Sequence, residues 1–215
     1  MSVGVPTVGG RCPYIAVDGC IGSGKTTLVA RLARRLGCEP LYEDLRDRLS
    51  VKFLDGLYRG DVKWGIDLEL TIISLRFNQL NNLPIRQILV ERPVVSDFCF
   101  AKGIIFATVN LRAREFELYK KVLRFYRRRL LAPDVVIFLD GQLEVIMGRI
   151  MRRGYDYEKQ ISEAYIAGLL RAYKQHYRSR PGCVKVSITE VDEALNPDWD
   201  VIVVDRLRRE IARIV

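Results

Sequence analysis

Near its N-terminus the chain reads Gly19-Cys20-Ile21-Gly22-Ser23-Gly24-Lys25-Thr26-Thr27, which matches the spacing G-x-x-x-x-G-K-[ST]. The apolar run Tyr14–Val17 precedes this segment and the amphipathic segment Thr26–Leu36 overlaps its end, so the context is strand, loop, helix. Backbone N–H groups of such a P-loop surround phosphate oxygens, and glycine lets the backbone approach them closely. We expect Lys25 to reach the β- and γ-phosphates and the Thr26 hydroxyl to bind Mg²⁺. The sequence therefore predicts a nucleoside-triphosphate site at residues 19–27.

Length and composition are those of one globular domain. The chain has 215 residues, of which 49% are hydrophobic and 28% charged. No apolar run approaches the roughly 20 residues of a membrane span, and the first ten residues lack the features of a signal peptide. We expect a single domain over residues 1–215, with a flexible N-terminal tail at residues 1–11.

The five cysteines are scattered and form no C-x-x-C pair; they are Cys12, Cys20, Cys38, Cys99 and Cys183. This pattern favours a reducing compartment, here the cytoplasm, over a disulfide framework or a zinc site.

The net charge of +9 admits two kinds of partner, phosphorylated ligands or nucleic acid. The densest basic run, Arg124 to Arg129, lies in a segment whose apolar residues recur at helical spacing. The arginines fall on the opposite face, which is typical of a solvated helix surface. We therefore do not expect nucleic acid as a partner.

Five apolar runs read as strands: Tyr14–Asp18, Leu41–Glu43, Gln87–Glu91, Val135–Asp140 and Val184–Thr189. Helical patterns separate them, which predicts an α/β fold with a parallel five-stranded sheet flanked by helices. The predicted helices are Arg46–Tyr58, Val62–Asn82, Val94–Ala107, Ala113–Leu131, Gln142–Arg153, Glu163–Arg178 and Asp198–Ile214. Asp200–Asp205 is an alternative sixth strand.

Carboxylates follow three of the predicted strands. Asp18 ends the first, Glu43 the second, and Glu91 the third, where Arg92 comes next. Ligands of open parallel sheets bind at the carboxyl ends of the strands. Two carboxylates facing a P-loop favour metal binding and proton transfer, although one such residue alone is as often a helix cap.

The combination resembles the deoxynucleoside kinases, a P-loop family that phosphorylates the 5′-hydroxyl of deoxynucleosides, and in particular its bacterial purine-preferring branch. Glu43 stands where the family keeps its general base. Glu91-Arg92-Pro93-Val94-Val95-Ser96-Asp97 resembles the family segment E-R-S-x-x-S-D, with Pro93 in place of Ser. The segment from Arg149 to Glu158 resembles the Arg-rich lid R-x-x-x-R-G-R-x-E-E, but Tyr155 replaces its third arginine. The lid is expected over residues 149–160.

The resemblance implies roles for these residues, with ATP as phosphate donor and Mg²⁺ as cofactor. Glu43 would accept the proton of the 5′-hydroxyl, and Arg92 would hold Glu43 and the hydroxyl in place. Glu91 would join Thr26 in binding Mg²⁺. The cations that would neutralise the charge on the transferred group are Lys25, Arg149 and Arg153, and the extra Arg152 would compensate for the missing lid arginine.

The resemblance also implies a nucleoside site formed by Tyr58 and Glu158 at the sugar 3′-hydroxyl, Arg76 paired with Asp97 at the base, and Phe100 stacked on it. Glu69 stands at a position where the family has Gln. An ionised Glu only accepts hydrogen bonds, which suits guanine with its adjacent N–H groups. Alternatively, Glu69 forms an ion pair with Arg76 or Arg92 and leaves the choice of base to other residues.

These features predict a kinase that favours purine deoxynucleosides or deoxycytidine over thymidine. The resemblance implies a homodimer formed by the helices after the third strand. Two alternatives stay open: a nucleoside-monophosphate kinase of the thymidylate kinase type, and a basic nucleic-acid-binding ATPase or polynucleotide kinase.

Overall fold

Five strands form the centre of the protein: β1 Tyr14–Gly19, β2 Glu39–Leu41, β3 Val94–Ser96, β4 Val135–Asp140 and β5 Cys183–Ser187. They pair in parallel in the order β2-β3-β1-β4-β5. The computed structural model describes residues 6–44, 54–56, 58, 65–192 and 196–214. The predicted α/β class with a five-stranded parallel sheet is confirmed.

The helices are α1 Lys25–Leu36, α2 Gly65–Asn82, α3 Ile85–Glu91, α4 Lys102–Asn110, α5 Ala113–Arg127, α6 Leu143–Arg153, α7 Glu163–His176 and α8 Trp199–Ile214, with a short 3-10 helix at Asp156–Glu158. The alternative strand Asp200–Asp205 is wrong, because this segment lies inside α8. Most of the predicted helix Arg46–Tyr58 lies outside the described residues, although residues 54–56 and 58 are helical.

The prediction of the third strand is wrong. Residues Gln87–Glu91 belong to α3, and β3 follows at Val94–Ser96, where a helix was expected. Helical spacing accounts for the apolar run, since Ile85 and Leu89 are buried four residues apart while Val90 is exposed. The run is short and is bounded by prolines at both ends, so its apolar residues alone do not separate a strand from a helix.

The register of the sheet brings three chain segments to one edge. Ser96 at the end of β3 lies beside Leu41 of β2 and Ala16 of β1. On the other side of β1, Gly19 lies beside Leu139 of β4. The P-loop and the residues that follow β2 and β3 therefore emerge together at the carboxyl edge, where open parallel sheets bind their ligands.

A buried carboxylate anchors the base of the P-loop. Asp18, which has no exposed surface, accepts a hydrogen bond from the Gly19 backbone N–H at 2.8 Å. The hydroxyls of Tyr173 and Tyr177 donate to the same carboxylate at 3.2 and 2.6 Å. A buried charge is tolerated when hydrogen bonds surround it. Asp18 thus ties α7 to the turn where β1 becomes the P-loop.

Part of the predicted flexible tail is held in place. Val8 and Arg11 form an isolated antiparallel bridge, and the Arg11 guanidinium pairs with Asp134 at 2.8 Å. Residues 8–11 make these contacts and residues 1–5 lie outside the described part of the chain, so the flexible tail stays a prediction. All five cysteines are unpaired. Across the described ranges, no helix is both long and apolar enough to span a membrane.

Candidate active site

The P-loop connects β1 to α1, and two of its glycines adopt backbone angles that only glycine tolerates well. Gly22 has φ 77° and Gly24 has φ 91°. Gly22 is also sterically required, since a Cβ there would lie 2.9 Å from Ile150 Cγ1 and 3.1 Å from the Ile146 carbonyl oxygen. The motif thus lets α6 pack directly against the loop.

Lys25 and Thr26 occupy the first positions of α1. The Lys25 ammonium donates to the carbonyl oxygens of Gly19 and Cys20 at 3.0 and 2.9 Å, so it lies across the loop. Burial, reinforced by the positive charge of Lys102, lowers the pKa of Lys25 to about 8. An anion bound in the loop would offset both effects and favour the charged ammonium.

Asp97, directly after β3, joins the P-loop to the segment after β2. One of its carboxylate oxygens accepts from the Thr26 hydroxyl at 2.6 Å, and the other accepts from the Glu43 backbone N–H at 2.7 Å. Both oxygens are therefore engaged beside the P-loop. Arg76 forms its ion pair with Glu43, and its role with Asp97 at the base stays a prediction.

Glu43 lies between two cations. Its Oε1 accepts from Arg76 Nε at 2.5 Å, and its Oε2 accepts from Lys102 Nζ at 3.0 Å. Burial raises the pKa of Glu43, but the charges of Arg76 and Lys102 outweigh it and hold the pKa at about 2. The carboxylate is thus fixed and ionised beside the P-loop.

These groups line a cavity of about 520 Å³. It includes Lys25 and Thr26 of the P-loop together with six of the eight residues predicted for the nucleoside, which are Glu43, Tyr58, Glu69, Arg76, Asp97 and Glu158. Its walls also carry the aromatic residues Phe106, Tyr155, Tyr157 and Tyr165. A volume of this size, apolar walls and a few converging polar groups are typical of a small-molecule site.

Glu69 of α2 supplies a buried acceptor to this cavity. Its Oε1 accepts from the Asn110 side-chain amide at 2.7 Å. Burial raises the pKa of Glu69 from 4.5 to about 7, against the opposing effect of the Asn110 hydrogen bond. Arg76 forms its ion pair with Glu43 and Arg92 pairs with Glu39. The alternative in which Glu69 forms an ion pair with Arg76 or Arg92 is therefore wrong.

The predicted lid begins at the end of α6. Arg153 Nε donates to Glu158 Oε2 at 3.0 Å, and a second, shorter hydrogen bond joins the other guanidinium nitrogen to Oε1. Arg149 donates to the Ser23 carbonyl oxygen at 3.2 Å and to Asp192 at 3.3 Å. Arg152 is exposed, and among the described residues its side chain donates to the Gly148 carbonyl oxygen one turn earlier. Arg149 and Arg153 thus reach the site, and Arg152 does not.

A second cavity, of about 290 Å³, lies on the P-loop. Its walls combine Gly22 to Gly24 with Arg149, Arg153 and the residues after β5, Ile188, Val191 and Asp192. Gly22 and Arg153 line both cavities. The two spaces therefore meet at the P-loop, as a donor site and an acceptor site must for a group to pass between them.

Glu91 and Arg92 do not reach this site. Both lie before β3, at the amino edge of the sheet, and their side chains are 74% and 53% exposed. Arg92 pairs with Glu39, the first residue of β2, at 3.4 Å. The predicted metal and catalytic roles rested on a strand ending at Glu91, and the carboxylate that does follow β3 is Asp97.

Phe100 is also displaced from its predicted role. It is 7% exposed, belongs to the core cluster with Tyr126 at 6.3 Å between ring centroids, and does not line the large cavity. Phe106, which lies on α4 six residues later, lines that cavity instead. The predicted role of Phe100 came from the family resemblance and not from the placement of the strand.

The sequence analysis also missed Lys102 and Asn110, which are the first and last residues of α4. The signal was present, since Lys102 is the one charged residue in the otherwise apolar stretch from Phe98 to Ala107. With the helix predicted to start at Val94, no position on α4 was assigned to the carboxyl edge of the sheet.

The chain also resembles proteins of known activity. It matches the family model "Deoxynucleoside kinase" over residues 15–212. It is 30% identical to a deoxyguanosine kinase of Bacillus subtilis (strain 168) over 193 residues, which are 90% of this chain and 86% of that protein. It is 28% identical to a deoxyadenosine kinase of Dictyostelium discoideum over 187 residues, 86% of this chain and 75% of that protein.

Solved structures show the same fold. The structure of the deoxyadenosine kinase from M. mycoides with bound dATP has a TM-score of 0.71 and 22% identity, and the match covers 90% of this chain and 99% of that one. The same enzyme with bound dCTP also gives a TM-score of 0.71, with 91% and 99% coverage. The family match spans the P-loop, the large cavity and the lid, and the chain belongs to the deoxynucleoside kinase family.

Proposed function

We propose that this chain transfers the γ-phosphate of ATP to the 5′-hydroxyl of a deoxynucleoside and prefers deoxyguanosine. The observation that carries the proposal is the contact between the two sites. Asp97 joins Thr26 of the P-loop to Glu43, and Glu43 lines the cavity that also contains Glu69 and Arg76. The family match supports the reaction type, and the cavity supports the acceptor.

Mg²⁺ fits the Thr26 hydroxyl and the Asp97 carboxylate, which are in contact at 2.6 Å beside the P-loop. Within the described residues, no cluster of three or more acidic, His or Cys side chains forms a complete metal cage. Mg²⁺ is commonly held by one or two protein ligands and completes its shell with phosphate oxygens and water. When bound, the ion would neutralise charge on the phosphates. Glu91 does not fit this set, because it is exposed at the other edge.

The remaining groups position the reactants and stabilise charge. Lys25, Arg149 and Arg153 surround the place where the two cavities meet, and they would neutralise the transferred group. Glu43 would accept a hydrogen bond from the 5′-hydroxyl and take its proton late in the transfer, since its low pKa makes it a weak base. A hydroxyl acceptor needs a group that takes its proton, whereas a phosphate acceptor is already ionised, so the carboxylate at this place argues against a monophosphate kinase.

Glu69 and Arg76 together favour guanine. Beyond Nε, the nitrogens of the Arg76 guanidinium have no hydrogen-bond partner within the described part of the chain. Guanine offers the acceptors O6 and N7, which suit an arginine, and the donors N1–H and N2–H₂, which suit an ionised carboxylate. Glu69 is such an acceptor above its pKa of about 7.

Product analysis tests the reaction. Wild-type protein incubated with ATP, Mg²⁺ and deoxyguanosine should give ADP and the 5′-monophosphate in equal amounts, as followed by ³¹P NMR. Lys25→Ala should give no product, because it removes the cation that crosses the P-loop. A 3′-phosphate, or ADP without a phosphorylated nucleoside, would contradict the proposal.

We further propose a homodimer and a cytoplasmic location. Leu118 and Phe125 of α5 are more than half exposed, and such side chains are typical of an interface. The unpaired cysteines fit a reducing compartment. Light scattering in solution should give twice the chain mass of 24.7 kDa. Glu in place of Leu118 and Phe125 should give the monomer, and a mass of one chain for the wild type would contradict the dimer.

A further inference from the structure

Lys102 is a buried cation beside the reacting groups. It is the first residue of α4 and 5% exposed, and its ammonium lies 3.0 Å from Glu43 Oε2. The ring of Phe106, one turn later, lies 5.5 Å from the same nitrogen. Within the described residues, Glu43 is its single hydrogen-bond partner. Both residues line the large cavity.

Both carboxylate oxygens of Glu43 are held by cations. Arg76 already engages one oxygen of Glu43, and Lys102 engages the other. Glu69 and Asp97 line the same cavity and supply further negative charge, so charge balance alone does not define the role of Lys102. Two cations on the two oxygens do, however, fix the orientation of the carboxylate, which a single partner does not.

We propose that Lys102 is the positioning residue for Glu43, which it holds in the orientation that receives the acceptor hydroxyl. The family resemblance had implied Arg92 as the residue that holds Glu43 in place, but Arg92 lies at the opposite edge of the sheet. In this chain the cation comes instead from the first turn of α4. The inference rests on the proposed function.

A double-mutant cycle on turnover tests whether Lys102 acts through Glu43. Glu43→Gln should lower kcat by roughly a hundredfold or more, the range for loss of a general base. Lys102→Met should lower kcat about thirtyfold or more while KM for deoxyguanosine changes less than about threefold. In the Glu43→Gln background, Lys102→Met should cost less than about threefold, because residues that act as a unit are not additive.

Two further variants separate positioning from a loss of folding. Lys102→Arg keeps the cation and should recover to within about tenfold of wild type. Lys120→Met removes a partly exposed lysine paired with Glu117 on α5 and should leave kcat unchanged. Equal losses from Lys102→Met in both backgrounds, or a kcat within threefold of wild type, would overturn the proposal.

Thermal unfolding of the four cycle proteins gives a readout that does not depend on turnover. Lys102→Met should lower the Tm of the wild type by more than it lowers the Tm of the Glu43→Gln variant, and the two changes should differ by about 3 °C or more. Additive Tm changes would show that Lys102 and Glu43 are not coupled and would overturn the inference. If the wild type phosphorylates no deoxynucleoside, the proposed function fails, and the Tm cycle still decides whether Lys102 holds Glu43.

Discussion

Glu69 shows how burial changes the chemistry of one side chain. The sequence predicted an ionised acceptor, but Glu69 is 1% exposed and its pKa is raised to about 7. Near neutral pH the carboxyl therefore exists in both forms. The ionised form accepts the two N–H groups of guanine, and the protonated form presents a donor as well. The preference for a base should then depend on pH.

The first prediction concerns this preference. At pH 8, deoxyguanosine should outcompete deoxyadenosine, and Glu69→Gln should shift the ratio of kcat/KM values toward deoxyadenosine or deoxycytidine. The shift should be on the order of 1–3 kcal/mol, the cost of an unpaired buried polar group. For the wild type, the ratio should fall between pH 8 and pH 6, and for the variant it should stay flat. An identical ratio in both proteins at pH 8 would remove Glu69 from base recognition.

The second prediction concerns stability. The pKa of Glu69 is about 7 in the folded protein against an ordinary value of 4.5, so the native state retains a proton that the unfolded chain has released. Between these values stability therefore falls as pH rises. Unfolding of wild type and Glu69→Gln at pH 4.5 and pH 8 should show the wild type losing Tm relative to the variant at the higher pH. A constant Tm difference would mean that Glu69 does not carry a raised pKa.

At the level of elements, the error in the third strand had the largest consequence. The P-loop, β1 and β4 were readable from the sequence because long apolar runs and a fixed motif define them. The three-residue β3 was not, because the longer apolar run of α3 precedes it. Because β3 ends at Ser96 and not at Glu91, the carboxylate that follows it at the carboxyl edge is Asp97. The position of this one strand in the sequence therefore decides which carboxylate belongs to the site.

The third prediction follows from that correction. Arg92→Ala should retain at least half of the wild-type kcat, because Arg92 lies at the amino edge and contacts Glu39 rather than Glu43. Asp97→Ala should lower kcat by roughly a hundredfold or more, since it removes the partner of both Thr26 and Glu43. Steady-state kinetics on the two variants decide the matter. A tenfold loss in Arg92→Ala would restore the original assignment.

The fourth prediction concerns the lid. Lys25→Ala should abolish transfer, Arg149→Ala and Arg153→Ala should each weaken it, and Arg152→Ala should be close to wild type. Arg149 and Arg153 line the cavities on the P-loop, whereas Arg152 is exposed on the other side of α6. Arg153→Ala should be milder than Lys25→Ala, since Arg149 remains. A loss in Arg152→Ala equal to that in Arg153→Ala would show that Arg152 also reaches the phosphates.

For the whole molecule, the sequence was sufficient for the fold class, for the P-loop and for six of the eight predicted nucleoside residues, which line the large cavity. Their positions follow from motif spacing and from the rule that ligands bind at the carboxyl edge of a parallel sheet. The charge balance inside the cavity did not follow, because it depends on which cations pack against Glu43. Lys102 and Asn110 come from the two ends of α4, and only the packed structure brings them to Glu43 and Glu69.

The nature of the acceptor tests the central claim most directly. Wild-type protein with ATP and Mg²⁺ is given the four natural deoxynucleosides and, separately, their 5′-monophosphates, and ADP release is measured at pH 8. The account predicts turnover of the deoxynucleosides, highest with deoxyguanosine and lowest with thymidine, and none of the monophosphates. Turnover of a monophosphate in preference to its nucleoside would contradict it, because an ionised phosphate acceptor has no proton for Glu43 to take.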